Sequence, residues 1–332
     1  MARPAIALRI TLAVLALYAT AAAGETRSAR DTAELSKALY NAVGDYGYYK
    51  TPEELARVKR VLSQGATADT QTLVAAIYTK TPDALDLLIP TVKDIDAPFH
   101  TNGETLLMFA LNRIKQAATD ADVKMVKSLI KAGANVNVIA RGKSASPLEL
   151  AASGGSHTYP QPELVKLLLA AGADATLLLG SDFSPLTGRG AGNLDVIKLL
   201  IDAGTDPYQV TTSGWTALHF VCQRPWDLND TPDPQAAKRI ALLLKKGNID
   251  AFHEQKGRIS VGTPLLEAAR SYNPDCVKAL IAAGASLKAP AYSPTYMAQY
   301  PETRQETVRE YVLQNAITSP KVYSPDVVKL FK

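Results

Sequence analysis

Apolar residues recur along this chain at the spacing of one helix face. In residues 126–134, 164–173, 196–204 and 277–285, apolar positions fall at i, i+3 and i+4, which places them on one side of an α-helix. Each segment ends in Gly-Ala or a near equivalent. Glycine suits the residue after a helix, because a left-handed backbone costs little without a Cβ atom. The pattern predicts a series of amphipathic helices that each end at a glycine.

A second pattern precedes these helices. It begins with Thr or Ser, continues with a small or apolar residue and Leu, and runs on into alanines. Its copies are 33, 41, 38, 32 and 47 residues apart and start at Thr72, Thr105, Ser146, Ser184, Thr216 and Thr263. Thr and Ser are good N-cap residues, and Pro at the next position fits the first turn of a helix. Each copy predicts an inner helix, followed by one of the amphipathic outer helices.

The recurrence resembles the ankyrin repeat, a unit of about 33 residues. Residues 216–219 (Thr-Ala-Leu-His) and 263–265 (Thr-Pro-Leu) match the start of its inner helix best. The resemblance implies an all-α ankyrin-repeat solenoid of about seven stacked helix pairs with short hairpin fingers and helical caps, its repeats covering residues 71–289. No single pair can bury its own apolar face, so stability would come from stacking.

Both ends of the array predict caps. Residues 24–70 read as an N-terminal capping repeat, with a helix over 31–43 and a capping box at 51–54. Residues 290–332 read as a C-terminal helical cap, with one amphipathic helix over 301–317 and a short element at 327–328. Tyrosines collect in both caps, where they either cover the ends of the core or form a binding patch.

Three connections between inner and outer helices are longer than the short turn of the resembled family: 114–122, 154–162 and 224–234. In a stacked array such insertions gather on one edge. The last two carry Tyr159 and Trp226 in proline-rich surroundings, which favours them as anchors for a partner. The alternative for Trp226 is a local plug that folds back onto its own repeat.

The resemblance also implies that the finger tips and inner helices recognise a partner protein. Apolar residues stand at several tips where a simple turn would be polar. Some of these residues would instead pack between adjacent fingers. The candidates for partner contact are Phe99, His100, Arg141, Phe183, Tyr208, Trp215, Phe252 and His253.

The N-terminus has the features of a secretory signal. Arg3 and Arg9 precede the apolar run 10–18, and small residues at 21–23 allow cleavage after Ala23. The alternative is an uncleaved anchor, but the apolar stretch is shorter than the roughly 20 residues that span a bilayer. We therefore expect residues 1–23 to be removed, no membrane insertion of the mature chain, and an exported protein, periplasmic or secreted.

Charge argues against a nucleic-acid partner. The chain has 36 Lys and Arg against 32 Asp and Glu, and two of its arginines lie in the predicted signal. The remaining basic residues are scattered, whereas a nucleic-acid module usually carries a clustered excess.

The mature chain has two cysteines, Cys222 and Cys276, both at positions expected to be buried. We favour two core thiols, with one bridge as the alternative, because the strict geometry of a disulfide cannot be judged from sequence.

Candidate chemistry is sparse. The four histidines show no metal-ligand spacing with Cys, Asp or Glu, and the resemblance gives His219 a structural role. No nucleophile has an evident base and orienting group, so we expect no cofactor, no metal and no enzymatic activity.

The preferred hypothesis is an exported protein-binding scaffold that inhibits or protects another exported protein, as an immunity protein does. The alternatives are a secreted effector that engages a host protein and an enzyme with an unrecognised site. Fold alone does not name the partner, and the sequence leaves the oligomeric state open.

Overall fold

The computed structural model describes most of the chain. The residues described are 31–141, 145–153, 160–180, 183–212, 214–223, 231–245, 249–252, 262–271, 273–303, 305–319 and 322–332. The predicted signal peptide lies outside them. The chain divides into two compact units, residues 1–95 and 96–332.

The first unit contains four described helices: α1 (31–49), α2 (Pro52–Ser63), α3 (Thr70–Tyr78) and α4 (Pro82–Leu88). Of the predicted capping box at 51–54, one half is present: the Glu54 amide donates to Thr51 Oγ1 over 3.3 Å, but the Glu54 side chain does not bond back to the Thr51 amide. The predicted start of α3 at Thr72 is wrong. Asp69 caps this helix instead, since its carboxylate accepts from both the amide and the hydroxyl of Thr72 at 2.8 and 2.6 Å.

The second unit is also helical. Its helices are α5 (Leu106–Asn112), α6 (Asp120–Lys131), α7 (Pro147–Ser153), α8 (Pro162–Ala170), α9 (Leu194–Asp202), α10 (Ala236–Leu243), α11 (Pro264–Ala269), α12 (Pro274–Ala282), α13 (Pro294–Gln299), α14 (Val308–Thr318) and α15 (Pro325–Lys329). Helices α5 and α6, α7 and α8, and α11 and α12 form the predicted inner and outer pairs.

The glycine stops of the outer helices are confirmed. Gly133, Gly172, Gly204 and Gly284 have φ values of 89°, 89°, 99° and 104°. In each case the next residue's amide closes the turn onto the carbonyl of a leucine, over 2.9–3.1 Å. These leucines have no exposed surface and are Leu129, Leu168, Leu200 and Leu280. The glycine therefore ends the outer helix, and the bond after it holds a buried leucine at the same position in each repeat.

Two repeats depart from the expected inner helix. At Ser184 and Thr216 the chain forms only short 3-10 turns, Arg189–Gly192 and Ala217–His219. The Ser184 amide donates to Thr187 Oγ1 over 2.6 Å, and such local side-chain bonds compete with a helix. A Cβ at Gly192 would lie 2.1 Å from the Gln223 carbonyl oxygen, so this turn lies against the backbone of the following repeat.

Hydrogen bonds join successive repeats at the base of the fingers. The Asn135 amide donates to Asp96 Oδ1 over 2.9 Å, and the Asp174 amide donates to Asn137 Oδ1 over 2.8 Å. Thr205 Oγ1 donates to the Ala175 carbonyl over 2.7 Å. These bonds fix the register between neighbouring repeats.

The C-terminal cap differs from its predicted helix over 301–317. The helix begins at Val308, because Thr307 and Glu310 form a capping box. Before it, the backbone amides of Ala291 and Val308 donate to the Glu306 and Ala289 carbonyls, each over 2.8 Å. The short last element is present as α15.

The two cysteines are bonded to each other, which corrects the preference for core thiols. Cys222 and Cys276 form a disulfide with their Cα atoms 5.5 Å apart. Both are buried. Stacking brings the start of α12 against the turn after Thr216, a proximity that sequence spacing does not reveal.

Candidate protein-binding surface

Four fingers of the second unit share one closing bond. The backbone amides of Phe99, Ala140, Leu179 and Thr211 donate to the carbonyls of Glu104, Ala145, Phe183 and Trp215, over 3.2, 3.0, 2.7 and 3.0 Å. Within the described residues these fingers contain no paired strands. The predicted hairpins are therefore tight loops that share this closing backbone bond, and the first and fourth have a further bond inside the loop, from Gly103 to His100 and from Gly214 to Thr211.

An apolar residue stands immediately before the closing donor in all four fingers. These residues, which we call the finger row, are Pro98, Ile139, Leu178 and Val210. Leu178 is 39% exposed and Val210 is 55% exposed, while Pro98 is exposed and Ile139 half-buried. Equivalent positions in stacked repeats lie on one side of the array, so the four residues of the row are expected to face the same side.

Neighbouring fingers are also joined directly. The Arg141 amide donates to the Asn102 carbonyl over 2.7 Å. Gly103, with φ at 77°, lies close to Arg141, since a Cβ there would be 3.2 Å from Arg141 Cγ. The first two fingers are therefore held together, which reduces the entropy lost when a partner binds.

Two predicted anchors pack mainly onto their own repeat. The ring of Phe99 meets Phe109 edge-on with centroids 5.3 Å apart. The indole of Trp215 stacks on Phe220 with centroids 4.8 Å apart. Both are half-buried, so they support the fingers and offer only part of their surface.

Tyr208 is presented beside the finger row. It is 37% exposed, and the Lys245 ammonium lies 5.1 Å from its ring centroid. The turn that carries it is fixed by its own amide, which donates to Asp206 Oδ1 over 2.9 Å. An exposed aromatic ring next to an ammonium group can contact both apolar and acidic groups of a partner.

The remaining residues predicted to contact a partner differ in exposure. His100 and Arg141 are exposed, whereas Phe183 and Phe252 are half-buried. Tyr159, Trp226 and His253 lie outside the described residues. Leu178 and Val210 were not predicted as contact residues from the sequence. Each lies the same number of positions before the start of the next repeat, and this shared spacing could have identified them.

The first two insertions are linked by one side chain. The Ala118 amide donates to Gln161 Oε1, and Gln161 Nε2 donates to the Gln116 carbonyl, both over 2.8 Å. Gln161 is buried. The end of the second insertion therefore lies against the first, while residues 154–159 and 224–230 lie outside the described part of the chain.

His219 has a structural position. It is buried, and its Nδ1 accepts the Thr216 amide over 3.0 Å. The proton therefore resides on Nε2, which donates to the Ala251 carbonyl over 3.1 Å. The imidazole closes the turn of its own repeat and binds the next one.

A buried ion pair lies near the disulfide. Arg239 donates to both carboxylate oxygens of Asp233, over 2.9 and 2.7 Å, and the side chains are each 4% exposed. Asn273 Nδ2 adds a bond of 2.6 Å to Asp233, and Arg239 Nε donates to the Val221 carbonyl over 3.2 Å. This network ties α10 to α12.

The tyrosines of the C-terminal cap differ in exposure. Tyr323 is 3% exposed, and burial raises its pKa while the Arg270 guanidinium opposes that shift. Tyr300 is 48% exposed at the end of a ladder of rings, with its centroid 4.8 Å from Tyr296. Tyr323 covers the core, and Tyr300 lies open.

Among the described residues, no three His, Cys, Asp or Glu side chains are placed to hold a metal ion. Burial raises the pKa of Glu267, and Arg270, whose Nη1 lies 3.0 Å from its carboxylate, partly offsets this. No described helix is long and apolar enough to cross a membrane.

Stacked helix pairs with projecting fingers place the chain among the α-helical repeat proteins. Residues 188–291 match the family model for ankyrin repeats in three copies. The crystal structure of the human ASB11 ankyrin repeat domain is similar, with a TM-score of 0.50 and 22% identity; the match covers 78% of this chain and 97% of that domain. No curated protein matches the sequence. Residues 188–291 therefore form ankyrin repeats, and ankyrin repeats generally serve as scaffolds that bind other proteins.

Proposed function

We propose that this protein is an exported scaffold whose finger row binds an apolar surface of another exported protein. This binding inhibits or protects the partner. The observation that carries the proposal is the exposure of Leu178 and Val210 at the same position of adjacent fingers. Contiguous exposed apolar residues mark interaction sites more often than they serve the fold.

The fingers are suited to recognition because they are held before the partner arrives. Each is closed by a backbone bond and set on repeats that are hydrogen-bonded to each other. Tyr208 and Lys245 add an aromatic and a basic contact beside the row. A central apolar contact with a polar surround is the usual composition of an interface.

Export rests on the N-terminal sequence and is supported by the Cys222–Cys276 disulfide. Disulfides persist in oxidising compartments and are rare in the cytosol. The partner would then belong to the same compartment. Cell fractionation and N-terminal sequencing of the mature chain test this part, and a cytoplasmic chain that begins at Met1 would contradict it.

The binding surface is tested with residues 24–332 immobilised and exposed to the exported fraction of the producing cells. The Leu178→Asp/Val210→Asp variant should lose a stoichiometric partner that the unaltered chain retains. Ile317→Asp is the matched control, because Ile317 is 83% exposed on α14, far along the chain from the fingers.

Equal retention by the finger variant would refute the role of the row. A partner found only in host-cell extract would replace the protective role with the effector alternative.

A further inference from the structure

The closing bond of the fingers occurs once more in the C-terminal cap. The Ala291 amide donates to the Glu306 carbonyl over 2.8 Å. Ala291 lies seven positions after the glycine that ends α12, which is the same spacing as in the second, third and fourth fingers. Thr307 then caps the next helix, α14, just as Thr or Ser follows the closing acceptor in the other fingers. The cap therefore begins with a further finger, which we call the long finger (residues 291–306).

The long finger differs from the other four in its length. Its closing donor and acceptor are residues 291 and 306, whereas they are four or five positions apart in the others. The added residues include α13 and a ladder of rings. In this ladder Tyr292 stacks on Tyr296 with centroids 5.3 Å apart and meets Tyr311 of α14 edge-on at 5.8 Å. The other fingers link their helices without such an insertion, so the connection alone does not require it.

A pocket of about 420 Å³ lies at the long finger. Binding sites for small groups typically have volumes of roughly 300–1,000 Å³. The apolar part of the lining consists of Pro290, Tyr292, Pro294 and Met297. Pro290 is exposed and directly precedes the closing donor, which is the position that Val210 holds in the fourth finger. The pocket therefore adjoins a position equivalent to the finger row.

Charged groups at the pocket restrict its occupant. Lys288 and Glu306 both line it, the first exposed and the second half-buried. Burial raises the pKa of Tyr292, and the Glu306 carboxylate adds to the rise, so negative charge lies close to this ring. A carboxylate is disfavoured there, and a cation is disfavoured by Lys288. A neutral ring fits the interior, because it can pack on Tyr292 and on the thioether of Met297.

The ammonium group of Lys288 is available to a partner. Lys288 forms no ion pair within the described part of the chain, whereas Lys278 Nζ lies 3.4 Å from Asp275 Oδ1. The Lys288 amide donates to Ser286 Oγ over 3.2 Å, which fixes the turn that carries the side chain. An acidic residue of the partner near the aromatic ring would complement this exposed charge.

We propose that the pocket of the long finger binds an aromatic side chain of a partner protein, from a segment with an acidic residue within two positions of the ring. The ring enters the pocket, and the neighbouring carboxylate pairs with the Lys288 ammonium. Aromatic anchors in pockets carry a large share of the energy of an interface. This inference rests on the proposed binding function and specifies the chemistry of the partner.

The test uses residues 24–332 and a fluorescein-labelled peptide with a central tryptophan and two glutamates on each side, which covers both chain directions. Fluorescence anisotropy gives the dissociation constant. The peptide with alanine in place of tryptophan should bind about tenfold more weakly, because it lacks the anchor. The peptide with glutamine in place of glutamate should bind about threefold more weakly, as expected for one exposed ion pair.

The decisive variant is Met297→Asp, which places a charge in the apolar lining. It should weaken binding of the glutamate peptide about tenfold. The matched control is Ala298→Asp, because Ala298 is exposed on the same helix and does not line the pocket. This control adds the same charge one position away and should bind normally.

Lys288→Glu tests the charge separately, and its exposed position makes the fold insensitive to the change. The variant should bind the glutamate peptide more weakly and a peptide with lysine in place of glutamate more tightly than the unaltered chain does. Partial unfolding cannot produce such an exchange of preference. The result therefore remains decisive if Met297→Asp fails to fold.

Equal binding of the tryptophan and alanine peptides, undiminished binding by folded Met297→Asp, or an unchanged charge preference in Lys288→Glu would overturn the proposal. N-acetyltryptophanamide that competes as well as the whole peptide would also overturn it, since the pocket would then be a site for small molecules. The finger variant Leu178→Asp/Val210→Asp should still bind the peptide. Failure of the finger row and failure of the long-finger pocket are therefore separate results.

Discussion

The disulfide between Cys222 and Cys276 should supply a large part of the stability of the repeats it joins. It links residues separated by 54 positions. Closing a loop of that length removes conformational entropy from the unfolded chain that corresponds to about 4 kcal/mol at 25 °C. A typical domain is stable by only about 5–15 kcal/mol, so reduction should lower the urea midpoint clearly.

The assay is urea unfolding of residues 24–332 with and without dithiothreitol, followed by helical circular dichroism and by tryptophan fluorescence. Trp215 stacks in the repeat next to the bridge, so its emission should report the affected region first. Repeat arrays unfold in segments when one interface weakens. The reduced chain should therefore show an earlier fluorescence transition than helix transition.

The control is Cys222→Ala/Cys276→Ala, which should resemble the reduced chain and should not respond to dithiothreitol. Coincident unfolding curves for oxidised and reduced chains would refute the reasoning. They would mean that the unfolded chain is already as restricted as the bridged one.

Three further substitutions test the packing. Gly192→Ala should destabilise the chain by about 1–3 kcal/mol, because its Cβ would lie 2.1 Å from a carbonyl oxygen, whereas Gly188→Ala, with nothing within 4 Å, should be nearly neutral in thermal unfolding. Asp233→Ala should cost about 3–5 kcal/mol in urea unfolding, since it leaves the buried Arg239 charge unpaired; a loss below about 1 kcal/mol would contradict this. Folding raises the pKa of Glu267 above the ordinary glutamate value of 4.5, so the folded chain binds this proton more tightly than the unfolded chain does. The free energy of unfolding should therefore fall as pH rises above 4.5, and Glu267→Gln should reduce that fall. Identical pH profiles of the free energy of unfolding would show that this carboxyl does not contribute.

Local patterns predicted the helices well. The glycine after each outer helix depends on backbone geometry within one turn, and all four glycines were found in the expected conformation. The predictions of inner helices at Ser184 and Thr216 were wrong. After Ser184, the Ser-Pro-Leu pattern does not show that Gly190 and Gly192 follow closely, where they favour a tight turn. After Thr216 no glycine follows closely, and the His219 side chain accepts the Thr216 amide in a short 3-10 turn instead.

The candidate surface was harder to predict, because exposure depends on neighbours that the sequence does not show. Phe99 and Trp215 looked like tip residues but pack on Phe109 and Phe220. Val210 was not predicted as a contact residue, because a single valine gives no signal in the sequence. Its exposure becomes informative only because Leu178 is exposed at the same position of the adjacent finger.

The closing bond that the four fingers share allows recognition to evolve readily. Donor and acceptor are five positions apart in the first two fingers and four apart in the next two, yet the closing bond is kept in all four. Loops tolerate length changes at small thermodynamic cost. Insertions and deletions at the tips can therefore change the partner during divergence while the stacked helices keep their sequence constraints, so the two halves of each repeat are free to evolve at different rates.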